Sequence, residues 1–216
     1  MAEKHVNYFA LQKACEKDGC PICRIIDERI SRYIDGMLFE HISDRTFRAQ
    51  YREAGGFCSS HSKTLLTYRD GLAVAILGQG TLDDYILDFK KKKIRKFKQP
   101  CPACAEQHRI EKEFLTFIAE GSDDKDSDAE LKKFFLASDG LCVPHYATMV
   151  KLLGRKIPKW ISLFQEEKFS KLIERTKKFI DCSAWGKQDE FAALSDADKV
   201  VWKELAATLR GQIGEQ

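Results

Sequence analysis

Six of the eight cysteines in this 216-residue chain fall into a pattern that occurs twice. The first copy is Cys20-Pro21-Ile22-Cys23, followed by Gly56-Phe57-Cys58-Ser59-Ser60-His61. The second is Cys101-Pro102-Ala103-Cys104, followed by Gly140-Leu141-Cys142-Val143-Pro144-His145. Each copy reads C-P-x-C, a spacer, then G-[FL]-C-x-x-H. Three thiolates and one imidazole at these spacings form a tetrahedral zinc set, so Cys20, Cys23, Cys58 and His61 are read as one site. Cys101, Cys104, Cys142 and His145 are read as the other, giving two Zn2+ per chain. With all four positions filled by protein, such a centre is structural; catalytic zinc keeps one position for water.

Two other chemistries use the same residues. An iron–sulfur cluster would take thiolates from these cysteines, although four cysteines are its usual set and histidine a less common substitute. A redox-active C-P-x-C would rest on a thiol pKa lowered at a helix start, as in thioredoxin-like enzymes. The βαβ setting of that motif is missing here, which leaves zinc as the first reading.

The elements that must present these ligands read as helices. Ile26, Ile30, Tyr33, Ile34, Met37 and Leu38 recur at steps of three and four, as do Trp160, Ile161 and Phe164 and, after a phase slip, Phe169, Leu172, Ile173, Phe179 and Ile180. Ser195, with Asp198 three residues on, announces a last helix through Val201, Trp202, Leu205 and Leu209. Alternating patterns and hairpin turns are missing, so the fold class is all-α. Proline directly after Cys20 and Cys101 suits the first position of a helix, where its lacking N–H costs nothing; Pro144 suits the first turn of a third. The cysteine motifs therefore sit at helix N-termini, whose positive ends favour thiolate.

The register of the two copies extends beyond the cysteines. Ser43-Asp44 precedes Cys58 as Ser127-Asp128 precedes Cys142, with Phe47 matching Leu131, Tyr51 matching Phe135 and Gly56 matching Gly140. The sequence thus predicts a tandem duplication of roughly 80-residue helical units, each organised around a Cys3His site. Residues 1–98 form the first repeat with an N-terminal helix, 99–156 the core of the second, and 157–216 a C-terminal helical extension.

The remaining candidates carry less. Cys15 and Cys182 have no counterparts and read as small buried hydrophobes; His108, one turn after Cys104, reads as a solvent-facing helix residue rather than a further ligand. His5 and His41 carry no pattern. Gly71, Gly78 and Gly80 suggest close helix packing or a kink, since the dinucleotide-like G-Q-G turn lacks its third glycine and its βα surroundings. Asp123, Asp124, Asp126 and Asp128 lack calcium-loop spacing and read as a solvated loop. The run Lys90–Lys98 would make salt-sensitive nucleic-acid contacts. Because Leu82, Ile86, Phe89, Ile94 and Phe97 give it an apolar side, it reads first as the solvated face of a helix. No nucleophile–base pair, Walker loop or zinc-protease helix emerges, and the uncertain question of enzymatic activity leans to no.

Composition sets the outer limits. Thirty-six basic and 33 acidic residues leave a net charge of +3, too balanced to imply a polyanionic partner by itself. The longest apolar run, Leu72 to Leu77, is too short to span a bilayer, and the start lacks a signal-peptide pattern. Eight cysteines in a long Lys/Glu-rich chain suggest metal or thiol chemistry in the cytoplasm rather than disulfides.

At its paired C-P-x-C and G-[FL]-C-x-x-H motifs the chain resembles an uncharacterised prokaryotic family, a domain of unknown function. The likeness covers most of the chain, including the helix around Trp202. It implies the same eight ligands and supplies no activity. The expected role is a zinc-stabilised, non-enzymatic binding or adaptor module acting on protein partners.

Overall fold

The computed structural model describes residues 6–97, 99–121 and 128–211. Twelve α-helices make up most of this backbone, with no strand among the described residues, so the fold is all-α as expected. Asp123, Asp124, Asp126 and His5 lie outside the described residues. No helix among those described is long and apolar enough to cross a membrane.

The chain forms two compact units. One comprises residues 26–110; the other joins 1–25 to 111–216.

The discontinuous unit contains α1 (Val6–Cys15), the start of α2 (Pro21–Gly36), the end of α6 (Pro102–Glu120), and then α7 (Asp128–Ala137), α8 (Val143–Leu153) and α9 (Lys159–Cys182). Short helices α10 (Gln188–Ala192) and α11 (Asp196–Lys199) lead to α12 (Val201–Arg210). Leu11, Ile22, Phe114, Leu115, Ile118, Phe135, Met149 and Ile161 are fully buried at its centre. Phe135 meets Trp160 and Phe164 edge-on, with ring centroids 5.9 and 5.7 Å away. Ser195 caps as expected, accepting the Asp198 N–H at 3.1 Å, but the helix it opens stops at Lys199 and restarts at Val201. Arg175 of α9 grips this corner, bonding the Asp198 carboxylate at 2.7 Å and that of Glu204 at 2.6 Å.

The continuous unit holds the rest of α2, a π-helical turn (Met37–His41), α3 (Arg45–Glu53), α4 (Ser59–Thr67), α5 (Gly71–Lys90) and the start of α6. Asp44 opens α3 by accepting the Thr46 N–H at 2.7 Å, and Asp70 opens α5 through the Ala73 N–H at 2.9 Å. Helix α5 packs on α3 through Ala73, Leu77 and Thr81, with Arg52 bridging to Asp84 at 3.0 Å.

The basic run departs from expectation. Helix α5 ends at Lys90; Lys92 takes a left-handed φ of 54°, and the Lys93 N–H returns to the Asp88 carbonyl at 2.9 Å. This is the hydrogen-bond pattern of a Schellman stop, built without glycine, so the apolar periodicity through Ile94 and Phe97 is not helical. Arg95 turns inward to Asp84 at 3.0 Å, and Phe97 packs against Gly55 and Tyr85. Lys90 to Lys93 and Lys96 remain exposed; Lys98 lies outside the described residues.

Candidate metal centres

Local sequence places each ligand pair as expected. Pro21 opens α2 and Pro102 opens α6, with Cys20 and Cys101 immediately before them and Cys23 and Cys104 one turn in. Cys58 and Cys142 are the cap residues of α4 and α8, in extended backbone, and His61 and His145 follow one turn later. Four helix starts thus carry four two-ligand arms.

The arms converge, but crosswise. Cys20 and Cys23 meet Cys142 and His145; Cys58 and His61 meet Cys101 and Cys104. In each group the four donor atoms all lie within 4.8 Å of one another. The expectation that each repeat supplies its own four ligands is therefore corrected: every C-P-x-C joins the C-x-x-H of the other copy. The helix lengths fit this crossing. From Cys20 the 16-residue α2 carries the chain outward by about 24 Å, and the nine-residue α3 is only about 14 Å long. In the second copy, 19 residues of α6 precede ten of α7. Neither second helix is long enough to retrace the first.

In the discontinuous unit His145 Nδ1 lies 3.0 Å from Cys142 Sγ, 3.4 Å from Cys20 Sγ and 3.5 Å from Cys23 Sγ. Cys23 Sγ and Cys142 Sγ are 3.8 Å apart. In the continuous unit His61 Nδ1 lies 3.2, 3.4 and 3.5 Å from Cys58, Cys104 and Cys101, with Cys58 Sγ 3.6 Å from Cys104 Sγ. Bond lengths of about 2.3 Å for Zn–S and about 2.0–2.1 Å for Zn–N place the corners of a tetrahedron about 3.8 Å apart for sulfur pairs and about 3.5 Å for sulfur–nitrogen. The imidazole–sulfur distances and the one close sulfur pair of each group lie near those values. No disulfide is present among the described cysteines.

Electrostatics point the same way. Burial and the neighbouring thiols of Cys58 and Cys101 push Cys104 up to about 12, because sulfurs this close resist ionising together. Burial also raises Cys58, but the backbone N–H groups of His61 and Ser60, with the adjacent Cys104 and Cys101 thiols, bring it below its ordinary value. At His145 burial pulls the pKa down, yet Cys142, Cys20 and Cys23 overcome it and hold the imidazole up at about 12. Burial keeps His61 low, opposed by a hydrogen bond with Gln107. Crowded sulfurs of this kind call for a cation at their centre.

The surroundings fix the arms. Gln165, fully buried on α9, accepts the Leu141 N–H and donates to the Leu141 carbonyl, both at 2.8 Å, clamping the backbone beside Cys142. Gly140 has a φ of +76°, and a Cβ there would stand 3.1 Å from the Gln165 oxygen. Asp139 accepts the Gly19 N–H at 2.7 Å, holding the Cys20 loop to the Cys142 loop. His145 Nε2 faces Glu111 at 3.8 Å, a carboxylate placed to orient the ring. Gly211, just past α12, would put a Cβ 3.5 Å from Cys23 Sγ, so its backbone lies against this group. All four of its ligands are buried, whereas Cys58, Cys101 and Cys104 are half-buried.

Gln165, Asp139 and Gly211 carried no legible signal in the sequence. Replacing Gln165 by alanine leaves a buried N–H and carbonyl without their partners and is expected to cost about 2–4 kcal/mol. Denaturant unfolding with metal analysis should find the loss confined to the group containing Cys142.

Cys15 and Cys182 are buried and outside both groups; burial pushes the Cys15 thiol up to about 12, as suits an inert core residue. His41 and His108 are exposed helix residues outside both groups.

The pattern of a family of unknown function, DUF6062, matches residues 3–119. The chain belongs to that family. The matched segment holds three of the four ligand arms and stops short of Cys142, His145 and Trp202. Over 62 residues, 29% of this chain, it is 31% identical to an uncharacterised 23.9 kDa protein encoded in the xynA 3′ region of Caldicellulosiruptor sp. (strain Rt8B.4). That alignment spans 30% of the relative's length. No solved structure matches.

Proposed function

We propose that this member of the DUF6062 family is a zinc protein with two structural Cys3His centres, serving as a non-enzymatic binding or adaptor module. One observation carries the reading: two four-donor groups, each with all its donor atoms within 4.8 Å of one another and its imidazole 3.0–3.5 Å from three sulfurs, compact enough to surround a single ion. A multi-iron cluster spreads its protein ligands over separate irons and needs a wider frame than one such tetrahedron. Each centre has four protein ligands and no reserved position for water, which favours structural over hydrolytic zinc. The crossed arms fit a tandem duplication in which each copy supplies half of each centre. In this reading the helices present a fixed surface to a protein partner, in the cytoplasm.

Native mass spectrometry with elemental analysis of anaerobically purified protein is expected to find two zinc ions per chain. A brown protein containing iron and sulfide would replace this reading with an electron-transfer one. Metal-free protein with disulfides in the same cysteines would replace it with thiol-redox chemistry.

A further inference from the structure

Helix α5 is apolar on two opposite sides, yet its own unit covers only one. Ala73, Leu77 and Thr81 are buried and Asp84 bonds to Arg52 on the inner side. On the other side Leu72, Ala75, Gln79, Leu82, Ile86 and Phe89 follow one another at steps of 3, 4, 3, 4 and 3 residues. That is the a/d spacing of a coiled-coil seam. All six are exposed; Leu72 stands 72%, Leu82 61% and Phe89 63% open to solvent. A helix apolar all round ordinarily has partners all round.

The glycines sharpen this. Gly80 has an internal reason, since a Cβ there would lie 3.2 Å from the Arg52 side chain. Gly71 and Gly78 have none: a Cβ at either would meet nothing within 4 Å. Glycine weakens a helix interior, so Gly78 is uncompensated within the unit; it and Gly71, at the first helical position, flank the seam, where a second helix could approach closely.

We infer that the outer face of α5 pairs with α5 of a second copy of this chain, in antiparallel register. The seam is small at its start and large at its end. Antiparallel pairing about the midpoint between Gln79 and Leu82 sets Leu72 against Phe89, Ala75 against Ile86 and Gly71 against Lys90 of the other copy. A parallel pair would stack Phe89 on Phe89 and leave Ala75 facing Ala75. Charge selects the same orientation: Asp70 at the N-terminus comes opposite Lys91, and the exposed cations Lys90 to Lys93 come near the other helix's start rather than each other. The helix dipoles then oppose favourably as well.

Sedimentation velocity on the full-length, metal-loaded protein should show a dimer at micromolar concentration. The Leu82→Glu/Ile86→Glu variant should be monomeric with unchanged metal content and helical signal. Gly78→Leu should weaken the dimer roughly tenfold or more while leaving the monomer's unfolding temperature unchanged or higher. An equal mixture of Leu72→Cys and Phe89→Cys chains should join through a short bismaleimide into a mixed dimer, above the background of the unmodified chain. A monomeric wild-type protein overturns the pairing, as does a dimer that survives the double variant. Strong self-linking of Phe89→Cys alone overturns the antiparallel register. A monomer that co-floats with anionic phosphatidylserine vesicles, and loses this with the double variant, replaces the second copy by a lipid surface.

Discussion

Cys142→Ser should release one metal ion and loosen the N-terminal 25 residues together with 111–216, while residues 26–110 keep the second ion. The mutated position is far in sequence from part of the region it disturbs. Cys142 shares its group with Cys20 and Cys23, so an ion held there would tie the start of the chain to α8. Cys58→Ser should do the converse, releasing the other ion and loosening residues 26–110. Hydrogen exchange on each variant, with metal counted by native mass spectrometry, separates the crossed arrangement from one in which each repeat binds alone. Under independent repeats, Cys58→Ser would disturb residues 1–98 and Cys142→Ser would leave α1 protected. The two losses should also differ in size. An ion between Cys20 and His145 would link positions 125 apart in sequence, whereas one between His61 and Cys101 would link positions 40 apart. Closing the longer loop removes more freedom from the unfolded chain, by about 1 kcal/mol.

Stripping both ions should abolish the cooperative thermal transition rather than lower it modestly. Structural zinc in small sites contributes roughly 10–16 kcal/mol of apparent binding energy near neutral pH. That equals or exceeds the roughly 5–15 kcal/mol by which whole domains are ordinarily stable. The chain without ions would retain its apolar packing around Phe114, Phe135 and Met149 but face crowded sulfurs with no cation among them. Calorimetry and near-ultraviolet circular dichroism before and after a strong chelator, under reducing conditions, measure this. Because Cys58, Cys101 and Cys104 are half-buried, the continuous unit should release its ion first. Re-addition of zinc should restore the transition. A chelated protein that still melts cooperatively at the same temperature would show that the helices hold without metal.

The local chemistry was legible in the sequence and the long-range pairing was not. Cysteine followed by proline announces a helix start whatever the rest of the chain does, and α2 and α6 begin there. Spacing within an arm is set by one helical turn, which a motif records directly. The choice of which arms meet depends on how far each helix carries the chain, and two equivalent copies offer two solutions with the same motifs. Gln165 escaped notice because one polar residue in an amphipathic helix reads as surface until its partner, the Leu141 backbone, is known. The stop of α5 was hidden for another reason. Its left-handed residue is Lys92, so the usual glycine mark was missing while Ile94 and Phe97 kept the apolar rhythm going.

The crossed ligands also impose an order on synthesis. Of the eight ligands, Cys20 and Cys23 leave the ribosome first, yet their partner Cys142 follows Cys23 by 119 positions. At about 5–20 residues per second, that interval is on the order of ten seconds. The group of Cys58, His61, Cys101 and Cys104 is complete well before it ends. The later-made half of the sequence therefore finishes the earlier-made one, and the first two ligand thiols to appear are the last to be matched.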